Sequence, residues 1–121
     1  MDVRKTCILL LLISGMAIEL YAQQSQRVSG QIWSMAADAK EKESLPYASV
    51  LVINEKDSTL VKGTTSNANG KFSLRYLAYK DKRYLLKVSY TGMQPVFNKL
   101  TENVNEINLE NILLNEGIEL D

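Results

Sequence analysis

The stretch Ser66-Asn67-Ala68-Asn69-Gly70-Lys71-Phe72-Ser73-Leu74 limits the fold more than any other part of the chain. Asn-Gly is a strong short turn signal, because both residue types tolerate the positive φ of the turns that match strand twist. Phe72 and Leu74 follow at alternate positions and share one face of a strand, with Ser73 on the other. The arm over 60–66 carries the β-branched Val61, Thr64 and Thr65. The spacing predicts a hairpin whose two arms pair with each other across Asn69-Gly70.

The same alternation recurs along the chain. A strand over 27–33 places Val28, Gly30 and Ile32 on one face, and Gly30 predicts the close approach of a neighbouring group. Trp33 lies out of phase with that set. The strand over 47–53 is apolar on both faces, as an interior strand should be. Further strands are predicted over 60–66, 71–76, 84–90, 93–100 and 107–114. Pro95 lacks a ladder donor and marks its strand as an edge. The apolar phase slips between Leu109 and Ile112, which predicts a bulge. Between these strands lie a frayed lead at 23–26, turns at 54–58, 77–83 and 101–105, a break at Thr91-Gly92, and a tail over 115–121 with no partner in the chain. Residues 34–46 form a polar loop with mixed charges and a helical turn over 35–42. Seven short strands at this spacing predict an all-β sandwich. Its expected core is Val28, Ile32, Ala48, Val50, Val52, Val61, Phe72, Leu74, Leu86, Val88, Tyr90, Val96, Ile107 and Leu109.

The first residues have a different character. Arg4-Lys5 precedes an apolar run from Cys7 to Ile18, broken only by Ser14 and Gly15, and a small residue stands at Ala22. This is the pattern of a secretory signal peptide over 1–22, shorter than the roughly 20 apolar residues of a membrane span. The domain then runs over 23–114, followed by a tail or the start of a linker at 115–121. Cys7 is the only cysteine, so no disulfide staples the exported part. Arg4 and Lys5 are two of 14 basic residues, Asp2 and Glu19 two of 14 acidic ones, so the part after residue 22 is neutral overall. No basic surplus points to nucleic acid or an anionic membrane. The chain has no histidine. A Ser-His-Asp triad and the usual histidine-based zinc site are therefore unavailable, and the expectation is no catalytic residue, no metal and no cofactor.

Four blocks, Val28-Ser29-Gly30-Gln31-Ile32, Leu45-Pro46-Tyr47-Ala48-Ser49-Val50, Thr65 to Leu74 and Val88-Ser89-Tyr90-Thr91-Gly92, resemble the carboxypeptidase-regulatory-like domain in order and spacing. The resemblance implies a transthyretin-like, seven-stranded Greek-key sandwich. With Asp57-Ser58-Thr59-Leu60-Val61-Lys62-Gly63 before it, the turn block looks like the version at the N-terminus of Bacteroidetes outer-membrane β-barrel proteins, including TonB-dependent receptors. Three features depart from the family pattern. Asn67 stands where Asp is usual, so a cation site there would lack its carboxylate, although the side-chain oxygen can still cap the turn. Met93 replaces a common aromatic. No barrel strands follow the last block.

The resemblance implies a non-catalytic accessory domain on the periplasmic side of an outer-membrane receptor or transport system. Its partner would be an outer-membrane β-barrel or a periplasmic protein, with no nucleic acid and no membrane span after signal cleavage. Asn67, Asn69, Gly70 and Gly92 are the expected structural turn residues. Trp33, Tyr79 and Pro95 are the expected partner contacts, with the Pro95 strand and the tail as candidate edges for a partner strand. The alternative is a free-standing secreted module that binds a glycan or peptide through exposed Trp33, Tyr47, Tyr76 and Tyr79. A folded spacer without a ligand is a third reading.

Overall fold

The structure is a computed structural model that describes residues 23–35 and 40–116. The signal-peptide expectation, half of the helical turn over 35–42 (residues 36–39) and the last residues of the tail lie outside the described residues. The strands are β1 (Gln23–Met35), β2 (Glu43–Ser44), β3 (Ser49–Asn54), β4 (Leu60–Thr65), β5 (Lys71–Tyr79), β6 (Tyr84–Ser89), β7 (Val96–Lys99) and β8 (Glu106–Asn115). They form two four-stranded sheets and no helix among the described residues. The count is eight rather than the expected seven. The extra strand is the two-residue β2, which pairs Trp33 with Ser44 inside the stretch expected to be a polar loop.

In the first sheet β1 is central. It pairs antiparallel with β5 and β2 in succession along one side, and parallel with β8 along Arg27–Met35 on the other. The second sheet has the order β4-β3-β6-β7, antiparallel throughout. The inward faces of both sheets form one core, with Val28, Ile32, Val50, Val52, Leu86, Val88 and Leu114 wholly excluded from solvent. Most of the expected core lies here, and Val96 and Leu109 pack against it half-buried. The cause is the period-2 pattern, which puts each alternate apolar residue on the sheet's inner face.

Several expectations fail for identifiable reasons. Residues 23–26 are not frayed: they pair with 76–79 of β5, and Gln26 is buried. Its amide nitrogen donates to Thr101 O at 3.3 Å and its oxygen accepts from Tyr76 OH at 2.6 Å, so the buried amide is satisfied on both sides. Val61 is exposed, because it is the extra residue of a bulge in β4, between Leu60 and Lys62, on a sheet edge. Tyr90 is exposed, because β6 ends at Ser89 and Tyr90 opens a turn closed by Met93 N–H on Tyr90 O at 3.0 Å, with Gly92 at φ 81°. Asn115 and Glu116, expected to be unpartnered, are held. Asn115 pairs with Met35 and accepts from Gln94 N at 2.9 Å, while Glu116 bridges to Met93.

The expected hairpin is also absent. β4 pairs with β3 and β5 with β1, so the arms enter opposite sheets. The turn itself closes locally. Asn67 N–H donates to Lys71 O at 2.8 Å, Gly70 N–H donates to Asn67 O at 2.9 Å, and Asn67 Oδ1 accepts from the amides of Asn69 and Lys71 at 2.9 Å each. Only Gly70, at φ 77°, has a positive φ; Asn69 does not. Without two positive φ values the turn lacks the twist that keeps hairpin arms together, and it becomes a corner between sheets.

Two further expectations find direct counterparts. β8 carries one extra residue against β1 between Asn108 and Asn111, where Glu110 sits at φ 58°. A Cβ on Gly30 would lie 3.0 Å from the ring of Phe72, so the missing side chain is the space that ring fills.

Candidate interaction surface

The buried Ser66 ties the corner to the loop before β3. Its hydroxyl donates to Leu45 O and accepts from Ala48 N–H, both at 2.8 Å. Its amide donates to Ala48 O at 3.0 Å, and its carbonyl accepts from Tyr47 N–H at 3.1 Å. Gly70 completes the knot: its carbonyl accepts from Ile32 N–H at 2.7 Å, and Ile32 O accepts from Leu45 N–H at 2.8 Å. A Cβ at Gly70 would stand 2.6 Å from Ile32 O. These contacts hold Tyr47 at φ 60°, in the left-handed region that bulky residues seldom enter, with its side chain 69% exposed. Tyr47, Ser49, Ser89, Tyr90 and Thr91 line a shallow cleft at this end of the second sheet.

The residues expected to contact a partner do not come together. Trp33 pairs with Ser44 near one end of β1 and Tyr79 with Gln23 at the other, roughly 30 Å of strand apart. Trp33 is half-buried; its Nε1–H donates to Asn111 Oδ1 at 2.8 Å, and Lys42 Nζ lies 4.6 Å from the ring centre. Tyr79 takes a hydrogen bond from Gln23 Nε2 at 3.0 Å and carries Lys82 Nζ at 5.1 Å from its ring. Tyr76, expected among the exposed aromatics, is buried against Tyr84 in an edge-on pair with centroids 5.4 Å apart. Pro95 is exposed and precedes β7, which is the outer strand of its sheet but only four residues long.

The outer edges differ. β4 has the Val61 bulge and Lys62, β7 follows Pro95, and β8 has its own bulge and the Met93–Glu116 bridge. These are the usual ways a sheet edge is made unattractive to another strand. β5 has no bulge and no proline, although Lys71 and Arg75 are exposed along it. It runs nine residues in unbroken alternation and pairs as a strand with β1 alone. Leu77 and Tyr79 on its outward face and Val61 across the gap are exposed and share one groove with Lys62 and Arg75. Neither the bare length of β5 nor the Ser66 knot is visible in sequence, because both depend on which strands become neighbours.

The far end is charged. Asn54, Asp57, Asp81, Lys82 and Arg83 help line an open cleft there. Hydrogen bonds from the Thr59 hydroxyl and amide hold the Asp57 carboxyl below its ordinary 3.8. Burial, and the neighbouring Tyr84, push the Tyr76 phenol up to about 12. Among the described residues no group of three or more Cys, Asp or Glu is placed to hold a metal ion, and no helix is long and apolar enough to cross a membrane.

A family model described as the CarboxypepD_reg-like domain matches residues 28–121. A comparison with curated proteins finds no match. Among solved structures, the fold is similar to the minor pilin of the Gram-positive pathogen Streptococcus agalactiae, at TM-score 0.57 and 10% identity, covering 83% of this chain and 48% of that one. It is similar to the shaft pilin SpaA of Lactobacillus rhamnosus GG, at TM-score 0.52 and 10% identity, covering 78% and 52%. A 9R-lipoxygenase from Cyanothece matches at TM-score 0.50 and 16% identity, covering 74% of this chain and 16% of that one. The chain thus spans about half the length of the two pilins, and the likeness is one of β-sandwich fold.

Proposed function

We propose that this chain, which belongs to the CarboxypepD_reg-like domain family, is a non-catalytic interaction domain on the periplasmic side of an outer-membrane receptor or transport system. It engages an outer-membrane β-barrel or periplasmic protein by taking a partner strand along β5. The observation that carries this reading is the β5 edge: a regular nine-residue strand paired with β1, whose outer main-chain groups are taken up at Lys71 and Tyr79 by the flanking turns and left open between them, with Leu77 and Tyr79 exposed beside it. An added strand would satisfy the free main-chain groups of β5 and cover those side chains, which is how extended segments are taken up by sheet edges. The periplasmic placement is supported by the signal-like first 22 residues and by the resemblance of the turn block to receptor domains.

The test is a photo-crosslinking amino acid placed at Leu77, and separately at Phe97 on β7, in cells that make the native protein. The expected result is a covalent adduct from position 77 with an outer-membrane barrel or periplasmic protein, and none from 97. Equal adducts from both positions, or adducts from 97 alone, would remove β5 as the docking edge. Fractionation with an antibody raised to the domain reports location in the same cells, and a cytoplasmic product would defeat the placement.

A further inference from the structure

We propose that the cleft between Tyr47 and Tyr90 is a binding site for a neutral saccharide. This site is independent of the β5 edge, at the other end of the molecule from Leu77 and Tyr79.

Ring occupancy separates Tyr47 and Tyr90 from the other exposed aromatic residues. Trp33, Tyr79 and Phe97 each have a lysine ammonium near the ring, at 4.6, 5.1 and 5.8 Å from its centre. Tyr47 and Tyr90 have none among the described residues. The hydroxyls of Tyr76, Tyr79 and Tyr84 each have a protein partner. Those of Tyr47 and Tyr90 have none among the described residues, nor do the hydroxyls of Ser49, Ser89 and Thr91 between them.

All five residues lining the cleft therefore carry a hydroxyl, two also offer a bare aromatic face, and none is charged. In a chain with 23% charged residues, a charge-free lining selects against ionic ligands. A pyranose ring presents a face of C–H groups and a rim of hydroxyls. The C–H face suits the negative face of an aromatic ring, and the rim suits side chains that both donate and accept. Ser49 and Ser89 stand directly opposite each other on β3 and β6, which spaces the two hydroxyls for one sugar ring.

The site is also preorganised. Tyr47 is kept out of the core and in a strained backbone conformation by the four hydrogen bonds of Ser66, one of them to its own amide. A backbone fixed before binding leaves only the side-chain torsions of Tyr47 to be ordered on contact. A strained residue held this firmly and left in solvent is the kind of outlier from which function is inferred.

The experiment uses the full chain, purified from cells that export it, on an array of neutral hexose and pentose oligosaccharides with uronic-acid polymers as charged controls. Calorimetry then follows with the neutral oligosaccharide that gives the strongest signal. Tyr47→Ala and Tyr90→Ala are each expected to weaken binding by about tenfold or more, the scale of an aromatic anchor, without moving the thermal midpoint. Tyr47→Phe should retain most of the affinity, and Trp33→Ala and Tyr79→Ala should leave it unchanged. The proposal is overturned if no neutral oligosaccharide binds, if binding survives both tyrosine truncations, or if a decaproline peptide occupies the cleft and the sugars do not.

Discussion

Tyr47 and Ser58 share the same backbone conformation, each at φ 60°, at opposite ends of the sandwich. Their support is very different. Ser58 sits in a turn held mostly by bonds within six residues: Ser58 N–H to Asn54 O at 2.8 Å, Asn54 N–H to Thr59 O at 2.9 Å, and the amides of Lys56 and Thr59 to the Asn54 and Asp57 side chains, with one longer tie from Glu55 N–H to Arg83 O at 3.0 Å. All of these lie where water competes. Tyr47 is held instead by Ser66, nineteen positions along the chain and buried. The comparison teaches that an unusual φ is cheap to maintain in two ways: by a short polar sequence that closes on itself, or by a remote buried group that leaves no freedom. The first end can readjust without disturbing the core, and the second cannot.

The largest test of this contrast lies beneath the knotted end. Phe72→Ala should destabilise the fold by about 3–5 kcal/mol in denaturant titration, since the ring is buried and fills the space over Gly30. A loss near that of a surface substitution would mean the core is not organised as described. Gly70→Ala should cost about 2–5 kcal/mol, combining the left-handed penalty with a Cβ pressed on Ile32 O. Ser66→Ala strands one buried amide and one carbonyl and should cost about 1–3 kcal/mol. Asp57→Asn at the charged end should cost clearly less than Ser66→Ala; equal losses would abolish the distinction between the ends.

Two titrations give the smallest and most local effects. The Tyr76 phenol is raised from 10.0 to about 12 on folding, so its stabilising contribution is fully present below pH 10 and is lost as pH rises through about 12. Tyrosinate absorbance should show this group ionising above the ordinary 10.0, and Tyr76→Phe should flatten the alkaline fall in stability. The Asp57 carboxyl is lowered from 3.8, so its contribution is present above that value and is lost as pH falls through the lower folded one. Its carboxyl resonance in a pH series should titrate below the ordinary 3.8, and ordinary titration would remove the Thr59 bonds from the account.

The sheet fold was legible because it depends on alternation, which each strand carries by itself. Val28 and Ile32, Val50 and Val52, Leu86 and Val88 could be placed inward from their own neighbours. The β8 bulge was legible for the same reason, as a slip within one segment. Pairing between strands was less so. Asn69-Gly70 satisfies a turn's chemistry equally well in a hairpin and at a corner, and what decides is Gly70 docking against Ile32, residues distant in sequence. Strand ends are hard to read for a related reason: Tyr90 continues the phase of β6 but lies one residue beyond it, whereas Tyr76, in phase with Phe72 and Leu74, stays inside because β5 runs on to Tyr79. The Tyr47–Tyr90 cleft combines both difficulties, since alternation alone points Tyr90 inward and nothing near Tyr47 in sequence brings the two together.

The parallel pairing of β1 with β8 has a mechanical consequence. The described chain enters at the start of β1 and leaves past the end of β8, and the two strands run side by side in the same direction along Arg27–Met35. Tension applied before Gln23 and after Glu116 therefore drags the two strands past each other, so every bond in that ladder carries load at once. An antiparallel pair pulled from its open end would instead be peeled one bond at a time. A domain wired in this way passes a pull from one end of its chain to the other through this parallel seam, while the cleft at Tyr47, in the other sheet, lies outside it.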